Sequence, residues 1–490
     1  MDVKILTNEH NEPDKQEKKV TISLFKFIIT VIGAIILTAA VTTFALIGGD
    51  QKTVDNEAPK RSEFIKLYQV YDTLSENYYK EIDKSKLIDS AIKGMVSGLD
   101  DPYSEYMTKE EQQAFSDTMS GDFQGIGAEI SQAGEKIIIT SPLKDSPAYK
   151  AGVKPNDELI AINSKSVEGM TTADVIGKIR GKAGTTVTLT LKRGGGEPFK
   201  VVIKRGKIHL DSVESRMLKR KTALITVTKF QEGTAEEFHA ALKKMEQEGM
   251  EKLILDFRNN PGGYLEEAKK MAGEFIPRGD VLFYTQTKEG EPTVYNSDNP
   301  ANPITKNLPT VIILNEGSAS ASEVFAAALR DNGKAKIAGT ESFGKGIVQT
   351  ATPYKDDSLL KFTQMKWLTP DKTWIHKKGI KPDKNIELPA YANSHVLNPD
   401  DVYTVGEKNS RVKSLEVGLT ALGYHTGKVD TTFDSKTEAA VEKFQQDHKL
   451  KVTGQMHGKS TERFTELLRI KLEKNDPQLT GAKKMINDMK

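Results

Sequence analysis

The stretch Leu253-Ile254-Leu255-Asp256-Phe257-Arg258-Asn259-Asn260-Pro261-Gly262-Gly263 decides the fold class. Leu253 to Phe257 reads as an apolar buried strand, and two glycines behind a proline close it ahead of a helical pattern from Leu265 to Phe275. The same alternation continues on both sides. Leu224 to Thr228 precedes a helix over Thr234 to Gln247, and Val311 to Leu314 precedes one over Ala321 to Arg330. Strands alternating with helices predict an α/β layered core with a mainly parallel sheet over residues 206–390. In such cores sites gather at the carboxyl ends of strands, and three motifs fall at or near such ends.

The first motif is Asp256 to Gly263 itself. Its glycines let the backbone approach a ligand and aim N–H groups at a developing oxyanion, although taken alone it is equally a plain turn and helix start. The second is Asn315-Glu316-Gly317-Ser318-Ala319-Ser320-Ala321-Ser322-Glu323. Ser320 with Glu323 fits a capping box, and a serine at a helix N-terminus is also a good place for a nucleophile. The motif is not the G-x-S-x-G elbow of the α/β-hydrolases. The third is Gly339 to Gln349, one residue short of a P-loop. Gly346 stands where the magnesium-binding hydroxyl would be, and a strand-like run follows where a P-loop needs a helix, which disfavours a nucleotide-dependent enzyme. Lys345, between two glycines and flanked by Phe343 and Ile347, is either exposed or drawn into an apolar site where desolvation frees its amine to act as a base.

Length and composition narrow the chemistry further. A chain of 490 residues exceeds what one core holds, so roughly two to four domains are expected. The 70 Lys and Arg against 68 Asp and Glu leave a net charge of +2 with no long block of one sign, which argues against nucleic acid as a partner. Cysteine is absent, so thiol nucleophiles, disulfides and cysteine-ligated metals are excluded. The eight histidines include no HExxH spacing, and nothing indicates a metal or an organic cofactor.

Upstream, Phe27 to Gly49 is an uncharged stretch of 23 residues, enough to cross a bilayer once as a helix. Lys18, Lys19 and Lys26 before it place residues 1–26 in the cytoplasm and the catalytic part outside the cell membrane. A cleaved signal peptide is the competing reading, and no convincing cleavage site follows Ala45. Residues 50–119 read as a linker and two amphipathic helices, around Phe64 to Leu74 and Leu87 to Leu99, whose apolar faces need either the rest of the chain or, in a homodimer, a second copy. Residues 120–205 form a small β-rich module. At its start Gly125, Ile126 and Gly127 make a turn that is either ordinary or able to hold a carboxylate beside a strand edge open to an extended peptide. Arg180, in Ile179-Arg180-Gly181, is a lone cation of the same module, of a kind more often simply solvated. Residues 391–473 show three helical patterns, and 474–490 are read as a loose polar tail.

Gly125-Ile126-Gly127-Ala128, Ser146 to Val153 and Asp157 to Asn163 together resemble a PDZ domain of the bacterial protease type, a family that binds C-terminal peptide tails. Asn260-Pro261-Gly262-Gly263, Ser318 to Glu323 and Phe343 to Gln349, in that order behind such a module, resemble the carboxy-terminal processing proteases, tail-specific serine peptidases with a crotonase-like core. That resemblance implies Ser320 as nucleophile, Lys345 as general base and Gln349 as the group orienting the lysine. It implies Gly262 or Gly263 with the N–H of Ala321 as the oxyanion hole, and Gly125, Ile126 and Gly127 as the carboxylate loop, with Arg180 as a further ligand contact. Leu422-Gly423-Tyr424, Thr437 to Val441, Phe444-Gln445 and Thr461 resemble a peptidoglycan-binding domain, with Glu416 and Thr431 as departures from its pattern. The expected architecture is thus multidomain, α/β and α+β, with one transmembrane helix, a PDZ-like domain, a serine protease core and a helical C-terminal domain. A catalytically silent scaffold that binds peptides and cell wall is the alternative.

Overall fold

The computed structural model describes residues 62–133, 136–392 and 394–489. The stretch Phe27 to Gly49 lies outside them, and among the described residues no helix is long and apolar enough to cross a membrane. The chain divides into two units, 1–91 and 92–490. The first contains α1 (Ile65–Asn77), on which Ile65, Leu67, Tyr68, Val70 and Leu74 are exposed. The boundary falls within α2 (Lys84–Ser97).

In the second unit β1 (Glu105–Met107) and α3 (Lys109–Ser120) come first, α3 opening on a Thr108–Glu111 capping box. The β-rich module follows as β2 (Asp122–Gly125), β3 (Ala128–Ala133), β4 (Lys136–Pro142), α4 (Pro147–Lys150), β5 (Asp157–Ile162), β6 (Lys165–Ser166), α5 (Thr172–Ile179), β7 (Thr186–Arg193), β8 (Phe199–Lys204) and β9 (Gly206–His209). Its sheet runs β3-β4-β5-β7-β8, leaving β3 as an edge, while β2 and β9 pair as an antiparallel ribbon where the chain enters and leaves. Alternate side chains of β7, Val187, Leu189 and Leu191, point into the module's own apolar core with Ile139, Leu159 and Val175.

The central core contains β10 (Val213–Met217), β11 (Thr222–Val227), α6 (Thr234–Gln247), β12 (Lys252–Asp256), α7 (Leu265–Gly273), β13 (Val281–Gln286), β14 (Thr293–Asn296), β15 (Thr310–Leu314), α8 (Ala321–Asp331), β16 (Lys336–Gly339), β17 (Ile347–Pro353), β18 (Leu359–Leu368) and β19 (Lys384–Asn385). One sheet has the order β10-β11-β12-β15-β16-β19 and is parallel except at β10. Its strands are apolar on both faces, as a doubly covered parallel sheet requires. Leu253, Leu255, Ile312 and Leu314 pack with Phe238 and Phe325 on one side. Ile254, Val311 and Ile313 face the other. A second, antiparallel sheet joins β13, β14, β17 and β18, and its edge is β1, so residues 105–107 belong to this core and not to a linker.

His209 links the ribbon to the core. His209 places Nδ1 2.9 Å from Asp122 Oδ1 and Nε2 2.8 Å from Glu237 Oε1 on α6, while Lys207 pairs with the other Asp122 oxygen. The Glu237 hydrogen bond, against the cost of burial and with help from Asp122, holds the imidazole above its ordinary pKa. That clamp is complete below about pH 6.5 and is lost as pH rises through the raised value. A thermal melt of wild type against His209→Asn, scanned over pH, should therefore diverge on the acid side only.

The C-terminal module is built from α9 (Ser410–Leu422), α10 (Ser435–Asp447) and α11 (Lys459–Lys474) around Leu415, Val441, Phe444 and Phe464. Glu416, one of its departures in sequence, is buried and accepts Asp430 N–H (2.7 Å) and Thr437 Oγ–H (2.6 Å). The expected loose tail is instead α12 (Pro477–Asp488). Its Leu479, Ala482 and Ile486 cover the second face of the parallel sheet, because every third or fourth residue there is apolar despite the lysines between them.

Candidate active site

Neighbouring parallel strands β12 and β15 deliver their following loops side by side. The two loops are laced together by side chains. Asn315 Oδ1 accepts Asn259 N–H (2.8 Å) and its Nδ2 donates to Asn259 Oδ1 (2.9 Å). Asn260 O accepts Ala319 N–H (3.0 Å) and Ser322 Oγ–H (2.9 Å), and Asn260 Oδ1 accepts Gly262 N–H (2.9 Å). The three serines of the second motif thereby separate. Ser318 is buried and donates to Phe257 O (2.8 Å), Ser322 is buried and donates to Asn260 O, and both are structural. Ser320 makes no side-chain cap hydrogen bond and lines a cavity.

Ser320 sits at φ 56°, ψ −115°, an uncommon conformation for a residue with a side chain. Glu323 holds it there. Only half of the expected capping box forms: Glu323 Oε2 accepts Ser320 N–H (2.8 Å), whereas Glu323 N–H goes to the Ser320 carbonyl (2.8 Å). The same buried carboxylate reaches the third motif. Oε1 accepts Ser342 Oγ–H (2.5 Å) and Gly344 N–H (2.7 Å), and Oε2 accepts Lys345 N–H (2.8 Å). Burial pushes this carboxyl up, against those four donors.

Lys345 precedes β17, and the strand after it leaves no helix N-terminus for a nucleotide phosphate. Its carbonyl accepts Trp367 Nε1–H (2.8 Å), and its ammonium lies 4.9 Å from the ring centre of Tyr103. Burial and the nearby Lys361 lower its pKa below the ordinary 10.5, more than Asp101 and Glu323 raise it. Gln349, within β17, donates through Nε2 to Thr363 Oγ1 (3.3 Å). Ser320, Lys345, Gln349, Gly262 and Gly263 all line one cavity of about 430 Å³. Among the described residues no hydrogen bond joins Lys345 Nζ to Ser320 or Gln349.

The glycines are needed for different reasons. A Cβ on Gly262 (φ 95°) would lie 2.7 Å from Ala319 O and 2.9 Å from Ala321 N, and one on Gly263 (φ 146°) would meet Phe230 O. Gly262 therefore permits close approach to the serine loop, but its N–H is already given to Asn260. The wall opposite Ser320 was not legible as part of a site. Tyr103, Phe115 and Met119 come from residues read as a turn and an N-terminal helical region.

Gly125, Ile126, Gly127 and Arg180 gather elsewhere, around a separate cavity of about 230 Å³ between edge strand β3 and α5. Ile126 O and Gly127 O are tied to Ala148 N–H (2.8 Å) and Leu143 N–H (2.9 Å). Gly127 has φ 70° with Ser146 too close for a Cβ, so this turn needs glycine. Arg180 stacks its guanidinium 5.3 Å from the ring centre of Phe123.

Comparisons with known proteins bear on the whole chain. Residues 221–386 match peptidase family S41, 38–111 the activating protease CtpB N-terminal domain, 138–193 a PDZ domain and 408–458 a peptidoglycan binding domain. A "Probable CtpA-like serine protease" of Staphylococcus haemolyticus (strain JCSC1435) is 44% identical over 485 residues, 99% of this chain and 97% of the relative. One of the same description from Staphylococcus aureus (strain COL) is 44% identical over 487 residues, again 99% and 97% of the two chains. Among solved structures, the photosystem II D1 C-terminal processing protease aligns at 26% identity and a TM-score of 0.39, over 65% of this chain and 86% of that one.

Proposed function

From the premise that the chain belongs to peptidase family S41 and is a CtpA-like serine peptidase with PDZ and peptidoglycan-binding domains, we propose that it cleaves peptide bonds by a Ser320–Lys345 mechanism on proteins held by their C-terminal tails. The observation that carries this reading is that Ser320, alone of the three serines in its motif, lines a cavity shared with Lys345, while Ser318 and Ser322 spend their hydroxyls on backbone carbonyls.

Neutral Lys345 takes the Ser320 proton, and the alkoxide attacks the peptide carbonyl. The ammonium returns that proton to the leaving amine, and water activated by the same lysine resolves the acyl-enzyme. The oxyanion donors are Gly263 N–H and Ala321 N–H. The latter is the first helical N–H of α8, where no intrahelical partner exists. Gly262 acts through its missing side chain, since its N–H is taken. Gln349, anchored at Thr363, sets the side on which the lysine approaches. No cofactor is needed for these steps.

The remaining assignments follow the same reading. Gly125, Ile126 and Gly127 receive the tail's carboxylate with Arg180 beside them, Phe27 to Gly49 anchors the chain in the cell membrane with the peptidase outside, and residues 391–473 bind peptidoglycan. The exposed apolar side chains of α1 are matched by a second copy. A fluorophosphonate probe tests the nucleophile: peptide mapping should place the adduct on Ser320, and an adduct on Ser318 or Ser322 would overturn the assignment. For tail recognition, amidating the C-terminus of a peptide substrate should raise KM about 10-fold or more with kcat little changed, because a charge-assisted hydrogen-bonded carboxylate is lost at a site remote from the scissile bond.

A further inference from the structure

We propose that Asp476, the residue that opens α12, is a positioning residue for the active-site loop. The inference rests on the Ser–Lys reading above.

Arg258 lies in the first motif, two residues before Asn260. Its guanidinium is gripped from two sides. Asp256, at the end of β12, accepts Arg258 Nε–H (2.9 Å) and Nη2–H (2.6 Å). Asp476 accepts Nη1–H (3.0 Å) on Oδ1 and Nη2–H (2.7 Å) on Oδ2. All three side chains are largely buried, at 18%, 10% and 17% exposed. Paired, planar hydrogen bonds of this kind fix orientation as well as charge. Asp476 is also the N-cap of α12, its Oδ1 accepting Leu479 N–H (2.9 Å). The helix in turn is seated on the sheet through Leu479, Ala482 and Ile486. The grip on Arg258 is therefore held to the body of the core.

What Arg258 steadies is a loop that would not keep its shape alone. Asn259 has φ 56°, Gly262 95° and Gly263 146°. Asn260 of this loop takes the Gly262 N–H, and its carbonyl takes the Ala319 N–H next to Ser320. A shift at Arg258 reaches both oxyanion donors within a few bonds. The peptidoglycan-binding domain lies between the two chain ends that meet here, since Gln478 Nε2 donates to Ile386 O (3.0 Å). The sequence beyond that domain thus completes the peptidase.

The test uses the full chain and a fluorogenic peptide with a free C-terminus. Asp476→Asn keeps an N-cap oxygen, and Asp256 still neutralises Arg258, so the melting temperature should move by no more than about 4 °C. Its kcat should fall about 10-fold or more with KM within about twofold, the loss expected when catalytic groups are slightly misplaced. Asp476→Glu should recover part of the loss. Arg258→Lys should lower kcat as well, and the double variant should be no worse than the poorer single one, because both break the same pair. A kcat for Asp476→Asn equal to wild type, or a loss explained wholly by a lower melting temperature, would overturn the proposal. If wild type is no faster than Lys345→Met in the same assay, the Ser–Lys reading itself falls and this inference with it.

Discussion

Lys345→Met should hydrolyse no peptide substrate measurably, a loss of about 1,000-fold or more, while its melting temperature at pH 7 stays level or rises. Methionine keeps the length and apolar body of the side chain but removes the amine that takes the Ser320 proton in this mechanism. The stability sign follows from burial. Desolvation, with Lys361 next, lowers the native pKa of this lysine, so the unfolded chain binds its proton more readily. Stability then rises with pH between the native value and the unfolded one near 10.4, and below that window the charged lysine disfavours folding. Methionine carries no such cost. In wild type the rate should climb with pH along an acid limb set by Lys345, at a midpoint below an ordinary lysine's. Turnover by Lys345→Met above that of the uncatalysed control would sink the base assignment. A lower melting temperature would mean that the stacking on Tyr103 outweighs burial.

The sequence showed best what is local. Apolar runs of strand length at 253–257 and 311–314 could mean little else once helical patterns followed each, and both became neighbours in the parallel sheet. The loops after them held the three motifs, and the structure brings Ser320, Lys345 and Gln349 to one cavity as their order suggested. What escaped depends on contacts between distant residues. β1 pairs with β18 across some 250 residues, and no local periodicity in a three-residue strand announces a partner that far away. Tyr103 entered the site for the same reason. The helix α12 is short and carries lysines between its apolar positions, so it reads as polar until the uncovered sheet face that receives it is known. The distinction between Gly262 and Gly263 needed the Asn260 side chain, which a motif of identical neighbours does not reveal.

Glu323 was read as a helix-capping residue, and its replacement gives the second large effect. Glu323→Ala should lower activity about 100-fold or more and destabilise the fold by on the order of 3 kcal/mol, since buried donors left unpaired cost about 1–3 kcal/mol each. Four donors converge on this carboxylate: the N–H groups of Ser320, Gly344 and Lys345 and the hydroxyl of Ser342. It pins Ser320 in its positive-φ conformation and ties the lysine loop to the start of α8. Glu323→Gln separates charge from geometry. The amide keeps one acceptor oxygen and can donate to Ser342 Oγ, so less stability is lost than in the alanine variant. Its missing charge has a distinct signature: the Glu323 carboxylate raises the Lys345 pKa, so removing it lets the lysine lose its proton at lower pH. The acid limb of the rate profile in Glu323→Gln should move to lower pH even as kcat falls. Melting curves and pH–rate profiles of the two variants measure both effects. An alanine variant as stable as wild type would refute the hub role of Glu323, and an unmoved acid limb in the glutamine variant would refute its electrostatic coupling to Lys345.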